Sequence, residues 1–281
     1  MTSPSPRPPA PSETTGEPDS LTRADRLRRL AVVVAEIFCL VGTLVGIGVI
    51  GQRVEESAGG ALSDDATLIA PAGPAFSIWT PIYLGLLAYT VWQFVPRNAG
   101  RSRTRATGWL AAASMVLNAV WLLVTQQGWI WVSVVVIVAL LVVLVVLVSR
   151  LGRERATDGW ERLTVDVTFG LYLGWVSVAT FANIAAALVD SGNDVGVGSN
   201  AAVAVAVLTI VALVGVTLAR SLGGRWSVAF AMAWGLAWIT VGRFTDEPRS
   251  AATGIAAAVA AVIVLLAAAG SRGRARGAWT R

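Results

Sequence analysis

The fold is decided by one stretch, Pro71-Ala72-Gly73-Pro74-Ala75-Phe76-Ser77-Ile78-Trp79-Thr80-Pro81-Ile82-Tyr83. A proline-rich entry leads into an apolar run that carries on to Trp92, with Phe76, Trp79 and Tyr83 at i, i+3 and i+7 on one helical face. This pattern describes the start of a membrane span with aromatic side chains at its mouth and a kink at Pro81. Two further apolar runs carry comparable polar-aromatic stripes, Asn118 with Trp121, and Tyr172 with Trp175, Ala179 and Asn183. Three such faces in one bundle point to a pocket.

Working outward, 55% of the 281 residues are hydrophobic and only 14% are charged, and the mean hydropathy is +0.67. A soluble domain could not cover itself with so little polar surface. Apolar segments of about 20 residues recur, each long enough for a hydrocarbon core of about 30 Å, so the expected class is an all-α integral membrane bundle and not a barrel. The residue inventory also excludes chemistry. There is no histidine and one cysteine, Cys39, which removes imidazole metal sites, Ser-His catalysis, internal disulfides and multi-cysteine metal sites. All 22 basic residues are arginine, which removes lysine Schiff-base chemistry and, with the abundance of Ala, Val and Gly, hints at a GC-rich bacterial genome. The charge of +5 does not call for nucleic acid, because basic residues in a membrane chain serve topology first.

In chain order, residues 1–29 read as a disordered basic cytoplasmic tail, poor in large apolar residues over the first twenty. Span 1, Leu30 to Ile50, is too long for a removable signal and holds Gly42, Gly46, Gly48 and Gly51, a small-residue seam for a neighbouring helix. Glu36 lies inside it, either as a functional intramembrane acid or paired with Arg28, Arg29 or Arg162. The acidic loop from Gln52 to Ala70 is long enough to act as a lid. Spans follow at about 75–94, 108–125, 129–148, 163–188, 201–218, 228–241 and 251–269, and residues 271–281 form a second basic tail. With the N-terminus inside, 19 of the 22 arginines fall in inner segments and 3 in outer ones, namely Arg53, Arg243 and Arg249. That bias predicts eight spans, both termini cytoplasmic and the acidic loop outside.

Twelve tryptophans are too many for an interfacial belt alone. Trp92, Trp109, Trp129, Trp131, Trp160 and Trp226 fit a belt near span ends, whereas Trp79, Trp121, Trp175, Trp234 and Trp238 lie within or close to spans. Three pieces carry a resemblance: the proline-rich entry with Ile78-Trp79 and Tyr83, Leu117-Asn118-Ala119-Val120-Trp121, and the run from Tyr172 through Trp175, Ser177, Ala179 and Thr180 to Asn183. On these residues the chain resembles the TspO/MBR family, the tryptophan-rich sensory proteins related to the mitochondrial translocator protein once called the peripheral benzodiazepine receptor. The last piece matches a Tyr-x-x-Trp-x-Ser-x-Ala-Thr-x-x-Asn helix in register. Departures include Leu171 where a proline is common, Leu122-Leu123-Val124 in place of an aromatic run, and the absence of a basic residue within reach of Tyr172, which argues against a sterol motif.

The resemblance implies a five-helix TspO-like domain over residues 30–190, with 191–270 as an additional three-helix segment. It implies a lid-covered pocket for porphyrins or similar flat hydrophobic ligands, lined by Trp79, Tyr83, Asn118, Trp121, Tyr172, Trp175, Ala179 and Asn183. The residue chemistry agrees in kind, since indole and phenol faces stack on planar rings while a few amides fix orientation. Interhelical hydrogen bonding would account for the two asparagines equally well. The leading expectation is a tetrapyrrole-binding sensor or receptor with no catalytic residue, no metal and no obligatory cofactor, a porphyrin or haem being ligand and not prosthetic group. The alternatives are a secondary transporter of a small hydrophobic molecule and a light-dependent porphyrin-degrading enzyme. The expected partners are membrane lipid and a porphyrin-like small molecule, with a homodimer allowed and no nucleic acid. The expected location is the bacterial inner membrane.

Overall fold

The computed structural model describes residues 21–193 and 195–277. The first twenty residues of the expected N-terminal tail and the last four of the C-terminal tail lie outside the described residues. Among those described, eight helices are long and apolar enough to cross a membrane. They are α1 Arg23–Gly46, α2 Trp79–Trp92, which reaches spanning length only with the turn that leads into it (Gly73–Trp92), α3 Ser102–Gln126, α4 Ile130–Leu151, α5 Thr168–Asp190 with its irregular entry (Gly159–Asp190), α6 Ala201–Ser221, α7 Trp226–Thr245 and α8 Ala251–Gly277. The protein is an all-α, multi-pass membrane protein.

Both tail boundaries move. Residues 23–29 belong to α1, which starts at a capping box where the Thr22 hydroxyl accepts from the Asp25 amide and the Asp25 carboxylate accepts from Thr22. Asp25 is then held by Arg28 at 2.7 Å and Arg105 at 2.8 Å. These contacts satisfy the helix start that the basic composition alone would leave frayed. At the other end α8 runs to Gly277, so the expected tail from 271 begins inside a helix. Span 1 is also shorter than expected at its far end. Past Gly46 the chain turns away, and Gly48 (φ 76°) and Gly51 (φ 85°) adopt left-handed turn conformations instead of packing in the bilayer.

The quoted stretch folds as a 3₁₀ turn, Gly73–Ile78, that feeds directly into α2. Pro81 therefore lies in the first turn of α2, just past its junction with the 3₁₀ turn, where proline is tolerated. A second irregular entry precedes α5, where a π-helical segment, Arg162–Val167, joins a single turn at Gly159–Glu161 to the main helix.

α1 packs on α3, α3 on α4 and α4 on α5, while α2 fits between α1 and α5. Gly42 and Gly46 make the α1–α3 seam, since a Cβ at Gly42 would meet Ala119 at 3.0 Å and one at Gly46 would meet Leu122 at 2.6 Å. The remaining helices attach in sequence: α7 docks on α5, α8 on α7 and α6 on α8. The α5–α7 seam rests on Gly170 and Gly174, where an added Cβ would overlap Ser227 and the Val228 carbonyl.

The two ends of the bundle differ. At the end where α1 begins, buried Arg103 bridges Glu161 (2.7 Å) and Asp166 (2.6 Å), Arg101 joins Glu161 (2.9 Å), and Arg225 of α7 joins Asp166 (2.6 Å). At the opposite end the α1–α2 loop folds back over the bundle, burying Val54, Ser57 and the run from Thr67 to Ala72.

Candidate functional site

Beneath the folded loop lies a small cavity of about 50 Å³. Trp79 of α2, Asn118 and Trp121 of α3, and Trp175, Ala179 and Asn183 of α5 all line it. Leu62, Ala66 and Thr67 of the loop form its roof. Tyr83 instead lines an adjoining cleft of about 470 Å³ between α1 and α2, with Thr43, Ile47, Arg53 and Glu55. Ile47 and Leu84 on this cleft are exposed on the apolar flank of the bundle. Trp79, Phe76, Trp121 and Val54 belong to both spaces and so form the wall between them.

Tyr172 lines neither space. Its ring is fully buried and its hydroxyl donates to the Ser114 carbonyl at 3.1 Å, so it supports the site from behind. Seven of the eight expected residues thus surround two adjoining spaces and the eighth braces them. The spacing of Tyr172 and Trp175 suggested one shared face. The Tyr172 hydroxyl, however, finds an acceptor on α3, as a buried phenol requires.

The aromatic side chains make one cluster. Trp79 stacks on Tyr83 at 5.1 Å with planes 14° apart, and meets Tyr172 (5.7 Å, 70°) and Trp175 (6.3 Å, 81°) edge-on. Phe76 meets the Trp175 ring edge at 5.7 Å. These are the offset and T-shaped arrangements that ring quadrupoles favour, each contributing about 0.5–1.5 kcal/mol beyond area burial.

Two amide networks hold the polar groups. Asn118 donates to the Tyr83 hydroxyl at 3.0 Å and to Cys39 Sγ at 3.5 Å, and its Oδ1 is buried with no partner. Trp121 Nε1 donates to Asn183 Oδ1 at 3.0 Å, and the Asn183 amide donates to Ser133 at 3.0 Å. Both asparagines therefore tie helices together and also line the cavity.

Glu36 forms none of the pairs expected for it. It is 3% exposed and neither carboxylate oxygen has a hydrogen-bond partner. Arg28 is instead engaged by Asp25 and by the Ala99 carbonyl at 2.5 Å, and Arg29 lies 4.3 Å over the Phe94 ring.

Three parts of the site have little signal in the sequence. Ile137 and Leu140 complete the wall from α4, an apolar helix in which no residue stands out. The loop residues of the roof are small or singly apolar. Most unexpectedly, α7 holds the roof. Arg243, 1% exposed, donates to the carbonyls of Thr67 (3.2 Å), Asp64 (2.9 Å) and Pro248 (2.8 Å). Trp234 Nε1 donates to the Ala75 carbonyl at 2.9 Å, and the Ala72 amide donates to the Trp238 carbonyl at 3.3 Å.

The fold and site define a class: a multi-helix membrane protein whose aromatic-walled, polar-braced cavity is capped by an inter-helix loop. The chain belongs to the TSPO-like protein family, whose model matches residues 30–270. The match reaches past residue 190 and takes in α6, α7 and α8 as far as residue 270. Comparison with the curated proteins and with the solved structures gives no match.

Proposed function

We propose that this protein binds a porphyrin, another tetrapyrrole or a similar flat hydrophobic ligand within the bilayer and acts as a sensor or regulator of it. The observation that carries this reading is the Trp79 wall. This indole, backed by Tyr83, Tyr172 and Trp175, stands with Phe76, Trp121 and Val54 between a small cavity of about 50 Å³ and a larger cleft of about 470 Å³. Sites for drug-sized ligands occupy about 300–1,000 Å³, so the cleft matches that scale while the small cavity takes a ligand of that size only if Trp79 or the loop moves. Exposed Ile47 and Leu84 give a ligand dissolved in lipid a route to the cleft. The setting we propose is a bacterial plasma membrane with both termini cytoplasmic, which follows from the arginine bias.

The test is titration of the purified full chain with protoporphyrin, read by Soret absorbance and tryptophan quenching. Saturable binding is expected. Trp79→Leu and Trp175→Leu, which keep apolar volume but lose the ring face, should weaken it by roughly 1–3 kcal/mol, by analogy with base–aromatic stacking. A parent protein that shows no saturable change would remove the proposal.

A second reading, proton-coupled transport of a small hydrophobic molecule, draws on unpartnered Glu36 inside α1. It requires substrate uptake into proteoliposomes that follows a pH gradient and is abolished by Glu36→Gln. Binding without such flux separates the two readings.

A further inference from the structure

The loop over the cavity is held at two places. Near α1 it is pinned through the Val54 amide on the Gly46 carbonyl (3.1 Å) and a reciprocal pair between Gln126 and the backbone of Gln52 (2.7 and 3.3 Å). The half that roofs the cavity is held differently. Its carbonyls at Asp64 and Thr67 are gripped by Arg243, and the chain beyond it is tied to α7 by Ala72 and by the Trp234 indole on Ala75.

A guanidinium is a planar fork of donors, and the hydrogen bonds of this buried one go to carbonyl oxygens, with Asp246, Asp64, Asp65 and Glu247 acting on its charge from beyond ion-pair distance. A buried charge satisfied by carbonyl dipoles depends on each of them, because every lost acceptor leaves part of the charge desolvated. Moving the roof outward would strip two of its three acceptors from Arg243. The helix carrying Arg243 is itself fixed, by the Gly170–Gly174 seam on α5 and by Arg225 on Asp166 at its opposite end.

We infer that Arg243 is the positioning residue of the roof: from a helix that contributes nothing to the cavity wall, it sets whether Leu62, Ala66 and Thr67 close over the ligand space. In this arrangement α7 supplies the outer support of the lid and α6 and α8 brace α7. As far as it concerns a ligand, the inference rests on the binding function proposed above. The position of the roof does not.

Hydrogen exchange by mass spectrometry on the ligand-free full chain in nanodiscs tests it. The amides of Ala66 and Ala70, bonded to the Ser63 and Thr67 carbonyls, are natural reporters. Arg243→Gln should speed exchange across residues 61–70 by at least about tenfold, the equivalent of one hydrogen bond to a charged group. Trp234→Phe should give a smaller increase. Gln126→Ala should loosen residues 52–54 and leave 61–70 unchanged. If Arg243→Gln does not yield folded protein, Arg243→Lys, which keeps the charge but not the fork, carries the test by the same criterion. Faster exchange confined to the 246–250 turn, with 61–70 unchanged, would overturn the inference and assign Arg243 to the α7–α8 connection. Where the parent binds protoporphyrin, Arg243→Gln should also raise both the association and dissociation rates. A parent that binds none refutes the proposed ligand while the exchange result still decides the role of Arg243.

Discussion

Two buried arginines, one at each end of the bundle, are neutralised in different ways. Arg103 faces carboxylates, with Glu161 at 2.7 Å and Asp166 at 2.6 and 2.8 Å, and its partners are shared with Arg101 and Arg225. Arg243 hydrogen-bonds carbonyls only, two of them on the loop over the cavity, while the carboxylates of Asp246, Asp64, Asp65 and Glu247 act on its charge without pairing with it directly. The first arrangement ties helix entries together through side chains, and its Glu161 is itself fixed by the amide and hydroxyl of Thr157 in the short α4–α5 connection. The second makes a charge depend on the conformation of a loop. On the inference above, one end of the molecule is a cross-linked frame, and the other carries a loop whose position Arg243 sets.

The largest effect expected from this contrast is at the carboxylate end. Arg103→Met leaves Glu161 and Asp166 with fewer counter-charges in a buried setting, and removal of one partner from a buried pair costs about 3–5 kcal/mol. Unfolding in mixed micelles of increasing dodecyl sulfate should register this as a global loss. Arg243→Gln should act mainly on the loop. Equal global losses from both variants would break the contrast.

A narrower cut sharpens it. Asp166→Asn weakens the bonds from both Arg103 and Arg225 but leaves Glu161 in place, so a loss of about 1.5–3 kcal/mol is expected, the usual scale for a hydrogen bond to a charged group. Because Arg225 starts α7, loop exchange in this variant also measures how rigidly α7 transmits a disturbance across the membrane. Unchanged exchange at 61–70 would mean that the α5–α7 glycine seam alone fixes the helix.

Most of the frame was legible in the sequence, for a physical reason. Apolar length marks a span, and the side chains of Trp79, Asn118, Trp121, Trp175, Ala179 and Asn183 stand out against that background, so their convergence on one cavity could be anticipated from helical periodicity. The roof clamp could not. Arg243 reads as an outer interfacial charge, because its partners are backbone carbonyls, which carry no residue-type signal. Glu36 misled in the opposite direction, since arginines close in sequence suggested a pair, yet Arg28 is claimed by Asp25 and Ala99. The α1 start at Arg23 turned on one capping box, and Ile137 and Leu140 are indistinguishable from the other aliphatic residues of α4 until packing selects them.

A smaller effect belongs to the cavity wall. Trp121→Phe keeps an aromatic ring but removes the Nε1 donor to Asn183, whose Oδ1 still has Ser133 at 3.2 Å. The expected loss is about 0.5–1.5 kcal/mol, the net scale of a single neutral hydrogen bond. A loss several times larger would mean that the wall, like Arg103, is part of the cross-linked frame and not of the end that carries the loop.

The smallest effect is a pH dependence of the loop. Half-buried Glu55 lines the cleft, and its carboxyl is raised above its ordinary value of 4.5, first by burial and then by repulsion from Asp64, with nearby Arg53 offsetting part of this and Glu56 adding to it. The closed loop thus holds this proton more tightly than a released loop does. The linked stability is fully present below about pH 4.5 and is lost as pH rises through the raised value. Exchange at the Val54 amide, which is bonded to Gly46 one residue away from Glu55, reads this directly once corrected for the intrinsic pH dependence of exchange. Protection should fall with rising pH in the parent and stay level in Glu55→Gln. Protection that rises with pH would mean Glu55 is stabilised in its charged form by Arg53, and would make this end of the loop an ion-paired anchor like the opposite end of the bundle.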